Sequence, residues 1–222
     1  MKIEIKDIHK KYGSRPILQG IDLSVESGTC VGILGSNGCG KSTLLSILAG
    51  IQPADRGEFA IDGNDLFRYP KERSRLVGYV PQGTPLIEEL NAYDNLRLWY
   101  SKADLQKGLE SGVLQMLGID KFLKMPVSKL SGGMKKRLSI GCAVSGRPPI
   151  LLLDEPMAAL DLSCKQSISR YIKDHKEKGG IVVMASHDTL ELELCDSWYI
   201  MKEGRLTPFR YTGDLDELVK HL

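Results

Sequence analysis

Nine residues fix the centre of this chain: Gly35, Ser36, Asn37, Gly38, Cys39, Gly40, Lys41, Ser42 and Thr43. They fit G-x-x-x-x-G-K-[ST], a phosphate-binding loop. Val31-Gly32-Ile33-Leu34 precedes them as an apolar run that reads as a buried strand. Leu44, Leu45, Ile47 and Leu48 follow at the spacing of a helix face. Strand, glycine loop and helix form the context in which this pattern has a physical meaning. The glycines let successive backbone N–H groups turn inward, and the helix N-terminus adds a favourable dipole for anions. Lys41 supplies a point charge for β- and γ-phosphates and Ser42 a hydroxyl for Mg²⁺. A nucleoside triphosphate is the expected ligand.

Composition adds limits. The chain has 222 residues, enough for one large α/β domain or a domain with an insertion. A net charge of +2 gives no reason to expect a nucleic-acid partner. Cys30, Cys39, Cys142, Cys164 and Cys195 are odd in number and scattered, which suggests reduced thiols rather than disulfides or a zinc site. No apolar run approaches the roughly 18 residues of a membrane span, and Met1–Lys6 does not resemble a targeting segment. Any membrane role is expected to come through a partner.

Residues 2–8 and 17–25 alternate apolar and polar like half-buried antiparallel strands, and 57–63 reads as a further short strand. Leu76–Gln82, Ile150–Asp154 and Ile181–Ser186 are expected strands, the last two with the continuous apolar character of a parallel sheet. Residues 161–177 read as a helix capped by Asp161 and stopped at Gly179-Gly180. Residues 91–130 are helix-compatible, with Leu96, Leu98, Trp99, Leu105, Leu109, Val113, Leu114 and Leu117 as apolar faces. A hairpin is expected over 197–209 and a short terminal helix over 213–222.

Two more motifs carry chemistry. Ile150-Leu151-Leu152-Leu153-Asp154-Glu155 is an apolar strand that delivers carboxylates to the edge of the sheet where ligands bind. Asp154 suits Mg²⁺, and Glu155 suits a base that polarises the attacking water. Leu130-Ser131-Gly132-Gly133-Met134 opens a helix whose Lys135, Lys136 and Arg137 read as exposed. Ser131, Gly132 and Gly133 there make a second anion-facing element. One nucleotide needs one phosphate loop, so the second suggests another subunit's nucleotide.

With these motifs in this order, the sequence resembles the nucleotide-binding ATPase subunit of an ATP-binding cassette (ABC) transporter. Residues 130–134 resemble that family's signature. The resemblance covers essentially the whole chain and adds four positions. Tyr12 matches the aromatic that stacks on adenine. Gln82, in Val80-Pro81-Gln82, matches the Q-loop glutamine at Mg²⁺ or the attacking water. Ala159-Leu160-Asp161 matches the D-loop at the dimer interface, and His187 the switch histidine at the γ-phosphate.

The resemblance implies a single ABC ATPase domain over 1–222. Its fold class is α/β, a P-loop NTPase core with a mostly parallel sheet, an N-terminal antiparallel β subdomain and an inserted α-helical subdomain over about 91–145. It implies ATP and Mg²⁺ as ligands. The implied partners are a second cassette meeting head to tail, identical or related, and an integral membrane permease subunit. The expected location is the cytoplasmic face of a membrane. Lys41, Gln82, Glu155 and His187 would serve hydrolysis, and Ser42, Gln82 and Asp154 the metal.

Some positions depart from the family pattern. Met134 stands where Gln is commonest, Ala158 where Ser is usual, and Cys39 lies within the phosphate loop. The Ser-Gly-Gly-Met form followed by basic residues leans toward exporters with separate membrane subunits. The alternative is a soluble ABC ATPase acting in an assembly or regulatory complex. A GTPase is disfavoured, since the nearest approach to [NT]-K-x-D, Ser101-Lys102-Ala103-Asp104, lacks the first residue.

Overall fold

Strand β3 (Cys30–Leu34), buried along its whole length, runs through the middle of a six-stranded sheet in the computed structural model. The structure describes residues 1–158, 160–186 and 189–210. The helix expected over 213–222 lies outside them. Parallel neighbours of β3 are β8 (Ile181–Ala185) and β9 (Ser197–Lys202). Beyond β8 lie β7 (Ile150–Asp154) and β6 (Val77–Val80), also parallel, and beyond β9 lies β10 (Arg205–Phe209), antiparallel. β6 stops at Val80, so Pro81 and Gln82 form the loop at its C-terminal end.

A second, antiparallel sheet carries β1 (Lys2–Tyr12), β2 (Arg15–Glu26), β4 (Arg56–Ile61) and the two-residue β5 (Asn64–Asp65), in the order β2-β1-β4-β5. Strict alternation cannot bury both Ile5 and Ile8, which are three residues apart. A register shift between them, with Asp7 at φ 50°, restores the inward face. Gly20, at φ 82°, does the same between the buried Leu18 and Ile21.

Between the sheets lies α1 (Lys41–Ala49), whose Leu44, Leu45, Ile47 and Leu48 are fully buried. Each contributes about 1.5–3 kcal/mol of burial. This core takes Val31 and Ile33 from β3, Leu152 from β7 and Val183 from β8. The opposite sheet face takes Leu151, Leu153, Val182 and Met184 into a second core. Alternate residues of the same strands thus serve both layers, the reason their sequences are continuously apolar.

Between β6 and β7 the elements are helical: α3 (Ala92–Arg97), α4 (Lys102–Ser111), α5 (Val113–Met116), two 3₁₀ turns and α6 (Gly132–Ala143). Leu96, Leu105, Leu114 and Leu117 are buried, whereas Leu98 and Trp99 are 58% and 63% exposed, contrary to their expected place in the core. Tyr100 packs and donates its hydroxyl to Gly141 O at 2.7 Å. α7 (Leu162–Glu177) joins the same layer. Two short helices carry no amphipathic signal in the sequence: α2 (Pro70–Leu76) and the four-residue α8 (Thr189–Leu192). Among the described residues, no helix is long and apolar enough to cross a membrane.

Candidate functional site

The loop between β3 and α1 is built to receive an anion. Gly40, the residue before the helix, has φ 117°, and a Cβ there would lie 3.0 Å from Leu18 and 3.2 Å from Ile17 O. Glycine is therefore required by both conformation and space. α1 has no side-chain cap and no acidic residue in its first turn. Its leading N–H groups face the loop with no protein carboxylate competing for them. Helices α6 and α7 contrast with it, since Ser131 accepts from Met134 N and Asp161 from Cys164 N.

Lys41 is only 6% exposed, and its ammonium donates to Gly35 O at 2.6 Å and Ser36 O at 3.2 Å. The Cys39 thiol lies 4.0 Å from the same ammonium. A cavity of ≈ 530 Å³ opens over this loop. Asn37, Gly38, Gly40, Lys41, Ser42 and Thr43 line one side, and Gln82 and Glu155 another. Arg15 and Ile17 complete the wall. Nothing in the sequence marked these two, which come from β2 only because that strand packs beside Gly40.

Asp154 ends β7 and is 2% exposed. Burial pushes its carboxyl above the ordinary range, opposed by a hydrogen bond from the Ser42 hydroxyl. Glu155 takes φ 47°, unusual for a non-glycine residue and worth about 1–2 kcal/mol of strain. Its backbone N–H donates to Ala185 O at 2.9 Å, which fixes the turn against β8. The side chain of Gln82 donates to Glu155 Oε2 at 3.0 Å. The turn directs the two consecutive acids differently, one beside Ser42 and one into the cavity wall.

Other expected positions lie elsewhere. Tyr12 is 51% exposed, donates its hydroxyl to Gln52 Oε1 and does not line the cavity. Ser131, Gly132, Gly133 and Asp161 do not line it either. They form a surface of their own, in which a Cβ on Gly133 would lie 2.6 Å from Cys164 Sγ and 3.7 Å from Asp161 Oδ2. His187 and Ala159 lie outside the described residues. A separate cavity of ≈ 570 Å³ between α4, α5 and α7 contains none of the motif residues.

Among the described residues, Lys10, Lys136 and Glu191 are buried charged residues that escaped the sequence reading, and the last two stand near the site. Lys136, expected to be exposed, is 4% exposed and bonds Pro81 O and Gln82 O. Its spacing of three and four from the buried Ser139 and Ile140 is the signal that could have revealed it. Glu191, on α8, is 1% exposed and accepts from Met157 N at 2.6 Å, tying α8 to the segment after Glu155.

A family model described as ABC transporter matches residues 18–158. The chain belongs to that family. This ABC ATPase is 33% identical over 218 residues to the linearmycin resistance ATP-binding protein LnrL of Bacillus subtilis (strain 168), covering 96% of this chain and 70% of LnrL. It is 37% identical over 211 residues to the spermidine/putrescine import ATP-binding protein PotA of Bacteroides fragilis (strain YCH46), covering 92% of this chain and 45% of PotA. Among solved structures, an ATP-binding subunit of an ABC transporter superposes with TM-score 0.84 at 28% identity, over 99% of this chain and 92% of that one. A dimeric ATP-binding cassette in a post-hydrolysis state, bound to ADP and Pi, gives TM-score 0.82 at 29% identity, over 94% and 98%. The P-loop NTPase cassette fold and ATP binding follow from this membership. The relatives' names include import and resistance proteins, so the expected lean toward export finds no support in them.

Proposed function

We propose that this ABC ATPase is the motor subunit of a membrane transporter, with Glu155 activating the attacking water in a nucleotide site completed by a second cassette. The observation that carries this reading is the sharing of one cavity by Lys41, Ser42, Gln82 and Glu155. Phosphate-binding and water-activating groups then face the same space, as phosphoryl transfer to water requires.

Lys41 and the loop amides hold the phosphates. The oxygen donors of Ser42, Gln82 and Asp154 suit Mg²⁺, and the buried Asp154 carboxylate beside the Ser42 hydroxyl is a fitting partner for a cation. Bound there, Mg²⁺ would neutralise charge on the phosphates. Tyr12 is the proposed adenine contact and His187 the γ-phosphate contact. Ser131, Gly132, Gly133 and Asp161 would meet the nucleotide of a second copy or a related chain, arranged head to tail. Their separation from the cavity supports that arrangement.

Exposed Ile87, Leu98 and Trp99 offer apolar surface for a helix of a permease subunit, which would place the protein on the cytoplasmic face of a membrane. Direction and cargo would be set by that subunit. The test is purification of tagged Glu155→Gln from its native cell in mild detergent with ATP. A co-purifying polytopic membrane protein is the expected result. Soluble partners alone, with the protein absent from membranes, would replace the transporter reading with the soluble-complex one.

A further inference from the structure

Of the three consecutive cations on α6, only Lys136 is buried. Lys135 pairs with Glu88 at 2.8 Å, and Arg137 reaches Leu117 O at 3.1 Å. The Lys136 ammonium is buried and donates to two successive main-chain carbonyls, Pro81 O at 2.8 Å and Gln82 O at 3.1 Å. Such burial is costly for a lysine, so its partners must be strong ones. Asp154, Glu155 and Glu191 supply a favourable field around it.

The contacts form a chain. α6 starts at the signature serine, Ser131. Lys136, inside the second turn, holds the backbone of residues 81 and 82. The Gln82 side chain reaches Glu155 Oε2. Glu155 in turn is fixed to β8 through its own N–H.

We propose that Lys136 is a positioning residue for hydrolysis, clamping the main chain at Pro81 and Gln82 so that the Gln82 amide stays on Glu155. This rests on the reading of Glu155 as the group that activates water. The clamp makes the placement of Gln82 depend on the placement of the signature helix. A shift of that helix, as when its N-terminus engages a second copy's nucleotide, is passed by one side chain to the water-activating carboxylate. Lys136 touches neither water nor phosphate in this scheme and acts through Gln82.

The experiment measures ATPase kcat and KM, thermal midpoint and binding of a fluorescent ATP analogue for wild type, Lys136→Met, Lys136→Gln and Lys136→Arg. A second set carries Gln82→Ala alone and with Lys136→Met. Lys136→Met should lower kcat by about tenfold or more, the scale of a misplaced catalytic group, while KM and analogue affinity stay within about threefold. Lys136→Arg, with its charge and donors kept, should recover most of the loss. On the Gln82→Ala background, Lys136→Met should add little, because the two changes remove one contact chain. Wild-type kcat in Lys136→Met would overturn the proposal. Equal losses of kcat, affinity and thermal midpoint would too, as would full additivity with Gln82→Ala. If Lys136→Met does not fold, Lys136→Gln carries the same comparison. Should Glu155→Gln turn over normally while the Lys136 variants still lose kcat, the failure lies in the role given to Glu155.

Discussion

The Gln82 amide rests on Glu155 Oε2 at 3.0 Å although 73 residues separate them. One residue follows β6 and the other follows β7, and the two strands are parallel neighbours. Adjacent strand ends therefore deliver an amide and a carboxylate to one wall of the nucleotide cavity.

That pairing sets the expectation for Glu155→Gln. The substitution keeps the size of the side chain and removes its basicity. Turnover should fall by about 10²–10⁴-fold, the usual contribution of a general base. Nucleotide affinity should change little, because Lys41 and the loop amides are untouched. Steady-state ATPase assays beside equilibrium nucleotide binding read both, and near-normal kcat would remove Glu155 from the proposed role.

Gly132 separates the fold from the partner surface. It is exposed, and a Cβ added there meets nothing within 4 Å. Gly132→Asp should leave the thermal midpoint and single-copy nucleotide binding unchanged. A carboxylate facing a second copy's phosphates should nonetheless abolish ATP-driven dimerisation of Glu155→Gln, read by size exclusion with and without ATP. Undiminished dimer would count against the head-to-tail site.

Cys39 is the only one of the five cysteines that is not buried. A maleimide should therefore label it first and block nucleotide binding by filling the loop, with ATP slowing the labelling. Peptide mapping after limited modification identifies the site. If Cys39→Ala remains as sensitive to inactivation as wild type, another thiol is responsible.

His175 should make the fold acid-sensitive. The ring is half-buried, donates from Nε2 to Pro149 O at 3.3 Å, and burial holds its pKa below the ordinary 6.5. Between that depressed value and 6.5 the unfolded chain binds more protons than the folded one. Stability consequently falls as pH drops through and below 6.5. Thermal melts of His175→Gln at a series of pH values should show a shallower acid decline than wild type. Parallel declines would assign the sensitivity to other groups.

The sequence was most legible where one local rule acted alone. Continuous apolar runs marked β3, β7 and β8, and the Asp161 cap and the double glycine bounded α7 within a residue. The phosphate loop was readable because glycine spacing, lysine and helix start are contiguous. Lys136 was not, because three cations in a row look solvated until the carbonyls at residues 81 and 82 are brought across from another element. Arg15 and Ile17 reached the cavity through sheet packing that no local pattern encodes. Leu98 and Trp99 had the spacing of core residues, yet the helical layer closes without them. α2 was too polar and α8 too short to show a period.

The place of β3 in its sheet also governs how the chain can be made. The strand that leads into the phosphate loop ends at Leu34, but its first parallel neighbour in sequence starts at Ile181. At 5–20 residues per second, that partner leaves the ribosome on the order of ten seconds or more later. Throughout that interval an apolar strand has no native partner on either edge. The nucleotide site cannot assemble as an early local unit. It closes only once β8 and β9 have been made, and until then the unpaired apolar strand is a point at which the newborn chain is exposed to aggregation.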